Sequence, residues 1–220
     1  MKKVDVKKLT VSAMLIALAF LSIFLLKFKV SFLSFDFKDA LLSVLTLLYG
    51  PLWGIISVCI VAVLEFLTVS DTGVYGLIMN IISSGVFALS VGFVYKYKRS
   101  FLGAIIASIC AVVSVAIFMM LANMLITPYY MGVSTDTVIK LIPTLLLPFN
   151  LIKSLMNASV MLIIYKPLTS LLRKIGLMKT KESNYKFGLK AIILTLVAVF
   201  ILIASSIFII HVLNGNLTLF

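Results

Sequence analysis

A run of 25 uncharged residues spans positions 40–64 and reads ALLSVLTLLYGPLWGIISVCIVAVL. About 20 apolar residues are enough for one helix to cross a bilayer. The run is interrupted near its middle by Gly50-Pro51, and Pro cannot continue a helix but suits the first turn of a new one. The sequence therefore predicts a short helix over about residues 36–49 and a second helix over about residues 51–67.

Similar uncharged runs along the rest of the chain predict further membrane-spanning helices. Four of them hold 18, 24, 36 and 20 residues, at positions 9–26, 72–95, 100–135 and 191–210. A fifth, at 141–165, is broken only by Lys153. Together with the divided run, they predict an all-α, polytopic membrane bundle of seven helices.

The composition excludes a soluble globular protein. Hydrophobic residues make up 63% of the chain and charged residues 12%, whereas soluble domains average about 45–50% and about 25%. The formal net charge is +12, but the basic residues stand in short runs between apolar stretches, where lipid headgroups are their expected contacts. The sequence predicts a multi-pass protein of the cell membrane with no nucleic-acid partner.

The distribution of Lys and Arg favours a cytoplasmic N-terminus. With two helices in residues 40–64, this orientation places 14 of the 19 basic residues inside, four outside and Lys153 within a span. A single kinked helix in that stretch, with the N-terminus outside, would place 13 inside and five outside. Because charge separates the two topologies weakly, the Gly50-Pro51 break decides for the first.

The chain lacks the sequence patterns of several membrane enzymes. The dipeptide Gly-Lys, which an ATP-binding phosphate loop requires, does not occur, and His211 is the only histidine. We therefore expect no ATP hydrolysis, no metal site, no resident cofactor and no catalytic residue. An intramembrane enzyme that uses Glu65, Lys153 and Asp136 is one alternative, and a purely structural membrane-assembly protein is another.

Polar residues inside a span indicate a functional site, because they are costly in lipid. Asn150, Lys153 and Asn157 occupy positions i, i+3 and i+7 of one predicted helix and so share a face. Their amide and ammonium groups suit carbonyls, ring nitrogens or hydroxyls of a ligand. Alternatively, this face forms an interhelical hydrogen-bond cluster in which Glu65 or an Asp neutralises Lys153.

Further polar and aromatic residues fall in the outer half of the membrane in this topology. Asn123 lies near the outer end of one predicted helix, Tyr130 lies in the outer loop predicted at 127–143, and Glu65 and Asn80 lie in two other predicted helices. The outer loop at 27–39 contributes three more aromatic residues: Phe32, Phe35 and Phe37. Flat aromatic walls with a few polar groups are typical of a small-molecule site, so we expect a pocket open to the outside and roofed by this loop.

Ala13 and Ala17 place two small residues one turn apart on the first predicted helix. Small residues at this spacing let another helix approach closely in lipid. This face is a candidate docking strip for a partner, and packing against the chain's own helices is the alternative.

Four motifs of aromatic, polar and turn residues follow one another along the chain. They are FDFKD at 35–39, YGPLWG at 49–54, SDTGVYGLIMNIISS at 70–84 and PFNLIKSLMN at 148–157. In this order and spacing, over residues 5–175, they resemble the riboflavin-specific substrate-binding subunits of energy-coupling factor (ECF) vitamin transporters.

The resemblance implies a six-helix subunit that binds riboflavin from outside with high affinity and mediates its uptake. It also implies partners, namely a transmembrane scaffold subunit and two ATPase subunits. The family's polar ligand contacts map onto Asn123, Asn150 and Lys153, and its docking strip maps onto Ala13 and Ala17. A subunit for another vitamin, such as thiamine or biotin, is the alternative of the same kind.

These arguments together give one set of candidate ligand-binding residues. The set consists of Phe35, Asp36, Phe37, Glu65, Asn80, Asn123, Tyr130, Asn150, Lys153 and Asn157.

The chain departs from the resembling subunits at its C-terminal end. Such subunits usually stop after the sixth helix and its basic tail, whereas this chain continues with another apolar run. We therefore expect a substrate-binding transmembrane domain at 1–178, a cytoplasmic linker at 179–187 and an extra transmembrane helix with a tail at 188–220. We expect this extra helix to be peripheral to the pocket.

Overall fold

The computed structural model describes residues 5–177 and 189–212. Its elements, in chain order, are α1 (Val6–Leu26), β1 (Phe28–Val30), β2 (Leu33–Phe35), α2 (Lys38–Tyr49), α3 (Pro51–Thr68), α4 (Gly73–Tyr97), α5 (Phe101–Met131), α6 (Thr135–Leu141), a π-helical turn (Ile142–Leu146), α7 (Leu147–Lys174) and α8 (Leu189–Val212). The predicted linker at 179–187 and the tail after residue 212 lie outside the described residues.

The predicted all-α bundle is confirmed. Since α6, the π-helical turn and α7 follow one another without a break, the described residues form seven helical rods. Five of these rods are long and apolar enough to cross a membrane: Val6–Leu26, Pro51–Thr68, Gly73–Tyr97, Phe101–Met131 and Thr135–Lys174. The helix α8 lies where the C-terminal apolar run predicted one.

The short helix α2 occupies the centre of the bundle. Its 12 residues extend about 18 Å, little more than half of the hydrocarbon thickness of about 30 Å. It packs against α1, α3, α4 and α7, and nine of its residues are buried. The main apolar core lies where α2, α4, α5 and α7 meet.

The corner between α2 and α3 confirms the predicted break. Gly50 has φ +94°, a conformation that glycine adopts without steric cost, and its N–H donates to Thr46 O at 2.8 Å. Pro51 then begins α3. Residues 40–64 are therefore two helices rather than one kinked helix.

The segment at 27–39, predicted as an outer loop, contains a β-hairpin that the sequence analysis did not predict. β1 and β2 pair antiparallel, with Phe28 opposite Phe35 and Val30 opposite Leu33. Each strand has only three residues, and the connecting Ser31-Phe32 lacks the Asn-Gly or Asp-Gly signal of a tight hairpin. The sequence pattern was therefore too short to distinguish the hairpin from a loop.

Gly92 and Gly85 of α4 provide a matched test of how closely the α2–α3 corner approaches α4. A Cβ on Gly92 would lie 2.9 Å from Pro51 Cα and 2.8 Å from Thr46 Cγ2, whereas a Cβ on Gly85 would meet only Ile55 Cδ1 at 3.5 Å. Overpacking costs about 1–3 kcal/mol, against about 1 kcal/mol that Gly→Ala gains in a helix. We expect Gly92→Ala to lower the midpoint of thermal unfolding in detergent, and Gly85→Ala to leave it equal or higher. An unchanged midpoint for Gly92→Ala would contradict the close approach.

Candidate functional site

A pocket lies between the hairpin, α4, α5 and α7. It holds about 710 Å³ of empty space, a volume that includes its open mouth. Its lining comes from the hairpin (Phe32, Leu33, Ser34), from α4 and the residue before it (Thr72, Tyr75, Gly76, Met79, Asn80, Ser83), from α5 (Met119, Asn123, Ile126, Thr127, Tyr130) and from α7 (Phe149, Asn150, Lys153). Five of the predicted ligand-binding residues are thus brought together: Asn80, Asn123, Tyr130, Asn150 and Lys153.

Each helix contributes one face to the pocket. On α5 the lining residues recur at the helical period, so that Met119 and Thr127 lie one turn on either side of Asn123. Neither residue was singled out by the sequence analysis. Extending the face of Asn123 by one turn in each direction would have identified both.

Two asparagine side chains are positioned by their own helices. Asn123 Nδ2 donates to Met119 O at 2.6 Å, and Thr127 Oγ1 donates to Asn123 Oδ1 at 2.8 Å. Asn150 Nδ2 donates to Leu146 O at 2.7 Å. An amide side chain has two N–H groups and a carbonyl oxygen with two lone pairs, so each retains hydrogen-bonding capacity for a ligand.

Lys153 lines the pocket and also forms a buried ion pair. Its Nζ lies 2.8 Å from Asp36 Oδ2 and donates to Ser34 O at 3.2 Å. The sequence analysis left open whether Glu65 or an Asp would neutralise this lysine, and the structure shows that Asp36 does. Lys153 is therefore both a bridge to the end of the hairpin and a donor beside the cavity.

A second buried ionic cluster lies behind the pocket wall. Lys38 Nζ lies 2.5 Å from Glu65 Oε2 and donates to Asn80 Oδ1 at 3.0 Å. Glu65 Oε1 accepts from Lys27 Nζ at 3.3 Å. Of these residues only Asn80 lines the pocket, so the structure places Glu65 as the ionic partner of two lysines.

The sequence analysis missed Lys38. It counted this residue among the basic residues of the outer side, but the structure places it in the first turn of α2, only 1% exposed. Besides Glu65, its Nζ lies 3.6 Å from Asp36 Oδ2. The available signal was a Lys38-Asp39 pair at the start of a predicted helix in an apolar bundle, where a buried charge needs partners.

Asn157 lies outside the pocket lining and is 0% exposed. Its Nδ2 donates to Asp36 O at 2.9 Å, and its Oδ1 accepts from Ala40 N at 2.9 Å. This side chain therefore satisfies backbone groups at the start of α2, where the first N–H groups of a helix have no partner within the helix. Its predicted role as a ligand contact stays a prediction.

The aromatic residues of the segment at 27–39 divide into two groups. Phe32 lies at the pocket, with its ring 6.1 Å from that of Tyr130. Phe35 is buried and packs on Phe28 and Phe149, at ring distances of 5.0 and 4.4 Å. Phe37 is half-buried against the same cluster. Neither Phe35 nor Phe37 lines the pocket, and their direct ligand contact stays a prediction.

An exposed ion pair connects the hairpin to the loop before α4. Lys29 Nζ pairs with Asp71 Oδ2, and the hydrogen bond from Lys29 lowers the pKa of Asp71 below its ordinary value. Exposed pairs of this kind contribute little to stability, so this contact is a weak tether of the hairpin.

Ala13 and Ala17 are exposed on the outer face of α1. The opposite face of the helix carries the residues that pack inward, such as Val11, Leu15 and Ala19. The described residues of this chain therefore do not cover the predicted docking strip, whose partner stays a prediction.

A family model described as "ECF transporter, substrate-specific component" matches residues 7–165. The chain belongs to this family. It is therefore a substrate-specific (S) component of an ECF transporter and a multi-pass membrane protein, as the resemblance and the apolar helices indicated.

Two curated relatives cover most of this S component. It is 31% identical over 173 residues to the riboflavin transporter FmnP of Bacillus subtilis, and the aligned residues cover 73% of this chain and 90% of the relative. It is 29% identical over 179 residues to the riboflavin transporter RibU of Staphylococcus aureus, and the aligned residues cover 77% of this chain and 94% of the relative.

A solved structure described as "Structure and mechanism of the S component of a bacterial ECF transporter" has the same fold. The TM-score is 0.65 at 29% sequence identity, and the match covers 76% of this chain and 98% of that chain. The helix α8 lies beyond the residues that the family model matches.

Substitutions at Asn157 and Asn123 distinguish a structural asparagine from a pocket asparagine by their effects on stability. Asn157→Ala leaves buried backbone groups of Ala40 and Asp36 without partners, at about 1–3 kcal/mol each. We expect it to lower the free energy of unfolding by about 2–4 kcal/mol. Asn123→Ala removes the side-chain acceptor of Thr127 Oγ1, which lies at the open pocket, while the Met119 carbonyl still accepts its helical hydrogen bond. It should therefore change the free energy of unfolding by no more than about 1 kcal/mol.

Chemical denaturation of both variants in detergent measures this difference. If Asn157→Ala were as stable as the unmodified protein, the structural role of Asn157 would be wrong.

Proposed function

We propose that this S component binds riboflavin in the pocket between the hairpin, α4, α5 and α7, and presents it for ATP-driven import. The names of both curated relatives, which are riboflavin transporters, support the choice of ligand. In the proposed topology the N-terminus is cytoplasmic. Because α1 crosses the membrane once, the hairpin and the pocket mouth then face outward.

The observation that carries this proposal is the convergence of Asn123, Asn150 and Lys153 on one cavity. Two amide groups and one ammonium offer several donors and acceptors in a small space. The isoalloxazine ring of riboflavin presents carbonyl oxygens and ring nitrogens along its edge. The proposed site therefore matches the ligand's polar edge to the polar groups of α5 and α7.

The aromatic residues of the pocket suit the flat faces of the same ring. Phe32, Tyr75, Tyr130 and Phe149 all line the cavity, and the rings of Tyr75 and Tyr130 lie 6.2 Å apart. Aromatic contacts contribute about 0.5–1.5 kcal/mol each beyond the area that they bury. Stacking and edge hydrogen bonds together would select a planar heterocycle with polar edges.

Lys153 gives the sharpest test of this binding mode. A hydrogen bond from a charged donor is worth about 1.5–3 kcal/mol, so we expect Lys153→Ala to raise the riboflavin Kd by about ten- to a hundredfold. Lys140→Ala, which removes an exposed lysine of α6, is the matched control and should leave the Kd unchanged. Quenching of riboflavin fluorescence by the purified protein measures the Kd.

The outcomes separate the alternatives. If Lys153→Ala lowers the unfolding midpoint but keeps the Kd, Lys153 acts only through its ion pair with Asp36. If the unmodified protein binds thiamine or biotin in preference to riboflavin, it serves another vitamin. If it binds none of them, the proposed function is wrong.

No specific observation favours an intramembrane enzyme. Glu65 is held by Lys38 and Lys27, and Asp136 lies exposed in the first turn of α6, outside the pocket lining. The two carboxylates therefore do not join Lys153 at one cavity. That the chain has no catalytic activity stays a prediction.

We further propose that the exposed face of α1 docks on a transmembrane scaffold subunit, which carries two ATPase subunits. Ala13 and Ala17 would let a partner helix approach closely. This arrangement supplies the ATP hydrolysis for which this chain has no phosphate loop.

The docking role of α1 predicts that binding and transport can be separated. Ala13→Trp combined with Ala17→Trp fills the space that a partner helix needs, so we expect the variant to bind riboflavin at unchanged Kd but to lose uptake and co-purification with the ATPase subunits. Ala204→Trp, at an exposed position of α8, is the control for a bulky side chain in lipid and should transport normally. Normal uptake by the double variant would place the docking surface elsewhere.

A further inference from the structure

The C-terminal helix α8 packs against α7 along one face. Ala198 and Ser205 are 4% and 7% exposed, and Leu202 lies between them on the same face at helical spacing. Phe200 and Ile203, on other faces, are largely exposed. One face of α8 is thus buried while other faces are exposed, although the helix is apolar on nearly all sides. This difference in burial shows that α8 docks in a definite orientation.

The surface of α7 that Leu202 contacts is next to the polar pocket face. Phe149, Ile152 and Met156 follow one another at i, i+3 and i+7 of α7 and are all buried. They form an apolar cluster with Phe35, and Leu202 packs against this cluster. We call this group the Phe35–Met156 cluster.

The Phe35–Met156 cluster connects α8 to the pocket by direct contacts. Phe149 lines the cavity, and its ring lies 4.4 Å from that of Phe35 at the end of β2. The Phe35 ring in turn stacks on Phe28 of β1 at 5.0 Å. Both strands of the hairpin thus rest on the cluster that Leu202 completes.

We propose that α8 is a positioning element of the ligand site, in which Leu202 holds Phe35 and Phe149 together and thereby restrains the hairpin over the pocket. Removing atoms from a packed cluster loses contacts that its neighbours recover only in part. Other contacts of the hairpin include the hydrogen bond from Lys153 Nζ to Ser34 O, the Asp36–Lys153 ion pair at its end and the exposed Lys29–Asp71 pair. Its strands are only three residues long, and the cluster is where aromatic rings of both strands pack. The effect on ligand release rests on the proposed function, whereas the effect on the hairpin does not.

The test compares two leucines of the same helix. Leu202→Ala removes the cluster contact, and Leu196→Ala makes the same change at a position that is 63% exposed. In the ligand-free protein, we expect Leu202→Ala to speed amide hydrogen exchange of residues 28–35 by about fivefold or more. With riboflavin bound, we expect a similar increase in the dissociation rate, measured by the exchange of bound radiolabelled riboflavin against excess unlabelled riboflavin. Leu196→Ala should leave both rates within about twofold.

Leu202→Met, which conserves volume, should restore both rates to near those of the unmodified protein. If Leu202→Ala does not fold, Leu202→Val replaces it, with a smaller change in the same direction.

The proposal is overturned if exchange in residues 28–35 stays unchanged in Leu202→Ala, or if Leu196→Ala raises it equally. It is also overturned if Leu202→Ala lowers only the unfolding midpoint, because α8 would then stabilise the bundle without acting on the hairpin. If the unmodified protein binds no riboflavin, the proposed function fails, while hydrogen exchange still decides the role of Leu202.

Discussion

The buried ion pair between Asp36 and Lys153 holds the site together. A charge in apolar surroundings is tolerated only when it is paired and hydrogen-bonded, and Asp36 has a partner on every side. Its Oδ2 pairs with Lys153, its Oδ1 accepts from Lys38 N, and its backbone carbonyl accepts from Asn157. One residue therefore determines where the hairpin ends, where α2 begins and which part of α7 faces them.

The short helix α2 explains why so many polar groups gather at this level of the membrane. A helix that starts inside a bundle exposes N–H groups to surroundings without water, and each must find an acceptor. Asn157 and Asp36 provide two of them. Lys38 extends the network to Glu65 on α3 and Asn80 on α4. This network reaches the pocket through two of its members, Asn80 and Lys153, which line the cavity.

The sequence predicted the features that depend on neighbouring residues along the chain. Uncharged runs located the helices, Gly50-Pro51 located the corner, and Asn123, Asn150 and Lys153 were found because polar residues are costly in lipid. The sequence could not show that Asp36 neutralises Lys153 or that Asn157 serves the backbone of α2, because these pairs join residues more than 100 positions apart. Nor could it show on which surface the C-terminal helix packs: α8 lies outside the pocket lining, as expected of a peripheral helix, but packs through Leu202 on a cluster that includes the pocket residue Phe149.

The π-helical turn at Ile142–Leu146 sets the rotation of everything that follows in α7. There the N–H of Leu147 donates to Ile142 O, five residues back, so the turn holds one residue more than an α-helical turn. Each residue rotates a helix by about 100°. If these residues were wound as a regular α-helix with none removed, Asn150 and Lys153 would lie about a quarter-turn away from the cavity. Any change that converted this turn into a regular α-helix would thus replace the face that α7 presents to the cavity without substituting a single residue of that face.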